Sequence, residues 1–146
     1  MGLYVSRHDD SIDFAVGEGF GTGASIEEWR KQFADHKLLV LGPASVDGQP
    51  WDRRGRFPLM GVTARSVTRV ALTHPSGAPD VMDGVRGGFV IWTYARRPLQ
   101  AAIAYDATGR ELERVDISHI DLGKVCRDAR GCPPGKWDLA PGPPDP

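Results

Sequence analysis

Residues 86–117, RGGFVIWTYARRPLQAAIAYDATGRELERVDI, constrain the fold more than any other stretch of the chain. Phe89-Val90-Ile91-Trp92-Thr93-Tyr94 is the densest run of β-branched and aromatic residues. Its apolar character on both sides predicts a strand covered on both faces. Ala101-Ala102-Ile103-Ala104-Tyr105 predicts another strand, and Asp106-Ala107-Thr108-Gly109 supplies a turn. Asp favours the first position of such a turn and Gly accepts positive φ at its end. Residues 111–117 then return as the second arm of a hairpin. These segments specify a fold class and leave function open.

The flanking sequence extends the β pattern. Residues 3–8 and 11–16 alternate apolar and polar side chains around Asp9-Asp10, which predicts an N-terminal hairpin. Gly17, Gly19, Gly21 and Gly23 recur at every second position and read as a flexible connector. Ser25-Ile26-Glu27-Glu28 is a capping box, in which the Ser hydroxyl accepts from the Glu28 N–H and the Glu28 carboxylate reaches back. Ile26, Trp29 and Phe33 then form one apolar face of a short helix over 26–36, with Arg30, Lys31, Asp35 and His36 mostly off that face. Leu38-Leu39-Val40-Leu41 predicts a buried strand ended by Gly42-Pro43, and residues 46–57 a long loop broken by Asp47-Gly48 and Pro50. Strand character resumes over 61–73, where the uneven spacing of Val67, Val70 and Leu72 suggests a bulge. His74-Pro75-Ser76-Gly77 turns the chain, and Asp83-Gly84 and Gly87-Gly88 bracket the approach to Phe89.

Size and composition narrow the class. A chain of 146 residues fits one domain, and at that size about 68–70% of the unfolded surface is buried. Eighteen glycines and twelve prolines favour short elements and many turns over a helical bundle. A formal charge of −1 argues against nucleic-acid binding or adhesion to an anionic membrane. Arg outnumbers Lys fourteen to four and Asn is absent, which reads as codon bias of a high-G+C bacterium and removes N-glycosylation. No run of 18 apolar residues is present to span a bilayer. No charged-then-apolar leader is visible, and Leu3-Tyr4-Val5 is already strand-like, as expected of a segment lying downstream of a signal or membrane anchor. Residues 1–6 match a myristoylation pattern, but an initiator Met followed by an ordinary Gly is the simpler reading.

A resemblance rests on Val67-x-x-Val70-x-Leu72, the Ser76-Gly77 turn, Gly88-Phe89-Val90-Ile91-Trp92 and Ala104-Tyr105-Asp106-Ala107-x-Gly109-Arg110-x-Leu112. Residues 61–117 resemble a recurrent β module of extracytoplasmic regions in membrane-anchored proteins of unassigned function from high-G+C Gram-positive bacteria. The resemblance implies a β-sandwich-like domain outside the cytoplasm and carries no functional residues.

Five residues, Gly131 among them, lie between Cys126 and Cys132. Two cysteines at this spacing lack the further ligands of a zinc site, and a thioredoxin-like pair has two intervening residues. A local disulfide is the preferred reading, with two free thiols in a cytoplasmic protein as the alternative. The glycines of 17–23 precede a helix but match neither dinucleotide nor P-loop patterns, so no nucleotide cofactor is expected. His8, His36, His74 and His119 are dispersed. Folding could gather His8, Asp9, Asp10, His119 and Asp121 around a divalent cation, although exposed turn residues are the plainer reading. No GxSxG elbow is present and no carboxylate pair is singled out by spacing.

Trp51 with Arg53, Arg54 and Arg56 is the best candidate contact surface, because Trp and Arg dominate binding hot spots. Phe57-Pro58-Leu59-Met60 would extend it with apolar area, while Arg96-Arg97-Pro98 reads as a polar hairpin end. The expectation is a mainly β, sandwich-like antiparallel domain over 1–139, with six to eight short strands and one helix, and an unpacked tail over 140–146. Its expected role is non-catalytic binding of a protein or small ligand, as the extracytoplasmic part of a membrane-tethered protein that uses no cofactor or metal. The alternatives are a small enzyme built from residues such as His8, Asp10 and His119, or a cytoplasmic adaptor, inhibitor or immunity-type protein.

Overall fold

The structure is a computed structural model describing residues 3–7, 11–16, 20–43 and 56–123. Strands β1 (Leu3–Arg7), β2 (Ser11–Val16) and β3 (Phe20–Ser25) form one antiparallel sheet, in the order β1-β2-β3. The expected hairpin is therefore present, with Leu3 opposite Val16 and Arg7 opposite Ile12. The second half of the glycine run is not a connector: Phe20–Ser25 pairs with β2 along its whole length. Backbone pairing to an existing hairpin overrides the low strand propensity of glycine.

Helix α1 (Ile26–Asp35) starts on the capping box read from the sequence. Glu28 N donates to Ser25 Oγ at 3.2 Å, and Ser25 N donates to the Glu28 carboxylate at 3.0 Å. Arg30, Lys31, Asp35 and His36 are exposed and Phe33 is half-buried. The side chains of Ile26 and Trp29 lie outside the described set.

Two further sheets form the sandwich. One has the order β4-β5-β8, from β4 (Leu38–Pro43), β5 (Arg56–Thr63) and β8 (Gly88–Tyr94). The other has the order β10-β9-β6-β7, from β6 (Arg69–Thr73), β7 (Asp80–Asp83), β9 (Ala101–Tyr105) and β10 (Glu111–Asp116). All pairings are antiparallel, and the chain switches sheet at 64–68, 84–87 and 95–100, so each sheet is built from interleaved parts of the sequence. Inward side chains of both layers meet in one core: Leu38, Phe57, Leu59, Phe89 and Ile91 from one, Val70, Leu72, Ala102 and Ala104 from the other. Ten strands are present among the described residues, more than the six to eight expected.

Three expectations are corrected here. Phe89–Tyr94 forms the predicted strand, but its two faces are not equally covered, because its burial alternates; among the described residues β8 pairs with β5 alone. Phe89, Ile91 and Thr93 are buried, whereas Val90, Trp92 and Tyr94 are half-buried on the other face. The middle strand of this sheet is β5, and Phe57-Pro58-Leu59-Met60 lies inside it, wholly buried, instead of extending a contact loop. Pro58 masked this strand in the sequence, because proline is excluded from most central strands. It is accommodated because the β4 ladder ends at Pro43 opposite Leu59, so Pro58 lies one residue beyond it. Finally, Val67 is not part of a bulged strand: it sits buried in the corner where the chain passes between sheets, and its N–H donates to Ala64 O at 3.1 Å.

The β9–β10 hairpin matches its reading. Asp106 Oδ1 accepts from Thr108 N at 2.9 Å and from Arg110 N at 3.1 Å, which fixes the turn with the residue type that favours it. No helix of the described residues is long and apolar enough to cross a membrane.

Candidate binding surface

One end of the sandwich gathers arginine and aromatic side chains. Arg56 stands opposite Tyr94 in the β5–β8 ladder, and Pro58 opposite Trp92, so strand alternation places all four on the outer face. The Arg56 guanidinium reaches diagonally over the Trp92 ring, 5.5 Å from its centroid. Arg96, two residues past the ring it covers, stacks over Tyr94 at the same distance of 5.5 Å. Such stacks lie within the range where the ring quadrupole attracts a cation. Arg56, Trp92, Tyr94 and Arg96 are half-buried, with part of each surface open to solvent, whereas Pro58 between them is buried.

The turn carrying Arg96 is fixed from below. Arg97 N donates to Tyr94 O at 3.0 Å, and the Arg97 side chain points the opposite way from its neighbour. Its guanidinium donates to Ala78 O at 2.6 Å and to Asp80 Oδ1 at 3.4 Å, and only 16% of the side chain is exposed. His74 lies deeper, its side chain 1% exposed. Its Nδ1 is 2.9 Å from Pro98 O and its Nε2 is 2.8 Å from Asp80 Oδ2. Both partners are acceptors, so both bonds exist together when each ring nitrogen carries a hydrogen.

Burial works against the ionised Asp80 carboxylate and is the largest single influence on it. It is outweighed by the hydrogen bond from His74, the nearby Thr93 hydroxyl and the charges of His74 and Arg97, which together hold the pKa below the usual carboxylate value. Thr93 Oγ1 is close enough to favour the anion but makes no hydrogen bond of ordinary geometry. The His74–Asp80 pair resembles a base and its orienting carboxylate, yet neither ring nitrogen is left to face a substrate. Its chemistry is that of a clamp, tying the β6–β7 connection to the 95–98 turn.

Of the residues read from the sequence, Arg56 lies on this surface. Trp51, Arg53 and Arg54 lie outside the described residues, as do His8, Asp9, Asp10, Cys126, Cys132 and the 140–146 tail. His119 and Asp121 are exposed. Among the described residues no cluster of three His, Cys, Asp or Glu is arranged to hold a metal ion. Arg96-Arg97-Pro98 is a crossover between sheets and not a hairpin end. Trp92, Tyr94 and Arg96 were missed as a surface because the run 89–94 reads as buried throughout. The His74–Asp80–Arg97 clamp was missed because it depends on the β6–β7 register, which sets Asp80 opposite Leu72.

The chain matches no protein-family model, no curated protein and no solved structure.

Proposed function

We propose that this chain is a non-catalytic binding domain whose recognition surface includes Arg56, Trp92, Tyr94 and Arg96, and that Trp51, Arg53 and Arg54, which precede Arg56 in the sequence, take part in the same binding. The observation that carries this reading is the pair of guanidinium–aromatic stacks on one face, beside a turn that buried hydrogen bonds hold in place. The Arg96 stack offers a guanidinium edge to a carboxylate fork, and the flat rings supply apolar area at small entropic cost. The partner is accordingly a protein face that combines Asp or Glu with apolar side chains.

The resemblance of residues 61–117 to extracytoplasmic β modules supports placing the domain outside the cytoplasm, on a membrane-tethered parent. In that compartment Cys126 and Cys132 form a disulfide. Alkylation under denaturing, non-reducing conditions tests it in protein matured outside the cytoplasm: no thiol is expected to react, and two reactive thiols would remove the assignment.

The binding reading is tested by titrating the isotope-labelled chain with a short peptide of alternating Glu and Leu and following its amide and indole resonances. Shifts are expected to concentrate at Trp92, Tyr94, Arg96 and the 51–56 segment, and to vanish in Arg96→Glu. Shifts spread evenly over every basic side chain would reject the surface.

A further inference from the structure

The opposite end of the sandwich holds a second constellation. At the ends of β5 and β8 far from Arg56 and Tyr94, a cleft of about 610 Å³ is lined by Arg65, Thr68, Gly84, Val85, Arg86 and Gly87. Its size falls within the ~300–1,000 Å³ of small-molecule sites. Val85 is a buried apolar floor, while Arg65 and Arg86 are exposed.

Charge pairing singles these two arginines out. Among the arginines of residues 56–123, Arg69, Arg97, Arg110 and Arg114 each hold a carboxylate, and Arg56 and Arg96 each cover an aromatic ring. Arg65 and Arg86 have neither among the described residues, and both line this one cleft. The nearest acid in sequence, Asp83, is committed to Arg69 at 3.3 Å. The cleft therefore carries two positive charges that no carboxylate of the described residues pairs, in a chain whose formal net charge is −1.

Its backbone wall is shaped in advance. Gly84 and Gly87 have φ of +68° and +82°, the left-handed region that side-chain-bearing residues rarely adopt. Nothing lies within 4 Å of where a Cβ would stand on either, so the main chain faces open space. Two hydrogen bonds pin the loop between them: Val85 N donates to Thr68 O at 3.0 Å, and Thr63 N donates to Gly87 O at 3.0 Å. A fixed loop with two fork-shaped cations lowers the ordering cost of binding a compact anion.

We infer that the Arg65–Arg86 cleft binds the oxyanion group of a small ligand, a phosphate or a dicarboxylate, clamped by the two guanidiniums with Thr68 Oγ1 as a further donor. The inference does not rest on the Arg56–Arg96 surface, which lies at the other end of the fold. It is tested by titrating the labelled full chain with inorganic phosphate and, separately, malonate, at constant ionic strength. Saturable shifts are expected at Thr68, Gly84, Arg86 and Gly87 with one or both anions, and the anion that saturates at the lower concentration identifies the ligand class. Arg86→Gln is expected to weaken binding about tenfold, Arg86→Lys by less because it keeps the charge and loses the fork, and Arg96→Glu not at all. Absence of saturation with both anions, or equal saturation in the Arg65→Gln/Arg86→Gln variant, would overturn the inference.

Discussion

Arg96 and Arg97 are adjacent in the chain but opposite in surroundings: one stacks on Tyr94 at the surface, the other donates to Ala78 O and Asp80 beneath it. Their sequence, Arg-Arg-Pro, carries no sign of this difference, because it arises from the strand alternation of β8 running into a turn whose lower side is occupied by His74. Removing the Asp80 charge leaves a buried His74 N–H and the Arg97 guanidinium short of an acceptor. Asp80→Asn is expected to cost about 2–3 kcal/mol in chemical denaturation. The pH response follows from the direction of the Asp80 shift. Its folded pKa lies below the unfolded value of ~3.9, so its stabilisation is complete above that value and disappears as pH falls through the folded one. Glu113 behaves alike: burial, the largest influence, raises its pKa, but His36 and the N–H groups of Lys37 and Leu38 lower it further. Acid unfolding below about pH 4 is expected to lose part of its pH dependence in Asp80→Asn and in Glu113→Gln. An unchanged acid limb in both would show that these carboxylates are not held as described.

At the scale of elements, α1 was the most legible and β5 the least. Periodicity and a four-residue cap locate a helix from local sequence alone, and the capping box is present with both of its bonds. Ser25→Ala is expected to cost about 1 kcal/mol, read as an earlier melt of the helical far-UV signal. What the sequence does not reveal is how α1 hands over to the sandwich. Glu113, at the irregular point of the β9–β10 pairing, binds the His36 ring at 2.7 Å and accepts from the N–H groups of Lys37 and Leu38. These groups are 75–77 residues away in the chain, a separation no local pattern encodes. Strand β5 was hidden over residues 56–60 by Pro58, a residue that argues against a central strand, and was legible only from Gly61 onward. Gly61 is required there: it stands between Val40 and Phe89, and a Cβ on it would overlap the Phe89 ring and the Leu39 carbonyl. Gly61→Ala is expected to destabilise by about 3 kcal/mol in denaturant titration, and a change below about 0.5 kcal/mol would place Phe89 elsewhere.

For the whole molecule, alternation and turn chemistry were enough to give a mainly β, antiparallel, sandwich-like fold with one short helix, as the three sheets show. They did not give the strand order, because three crossovers between layers distribute neighbouring segments to different sheets. The groups proposed to bind are placed by that topology: one arginine pair lies at each end of the β5–β8 ladder, remote from the paired middle that holds the core. Exposed or half-exposed arginines at such ends are expected to change binding while leaving stability within about 0.5 kcal/mol. The direct measurement is calorimetric titration of the alternating Glu-Leu peptide into the wild-type chain and into Arg96→Ala, with the melting temperature of each recorded alongside. The binding account predicts a loss of affinity of about tenfold or more at Arg96→Ala with an unchanged melting temperature. Equal affinities in the two proteins, or a loss that only accompanies unfolding, would contradict it.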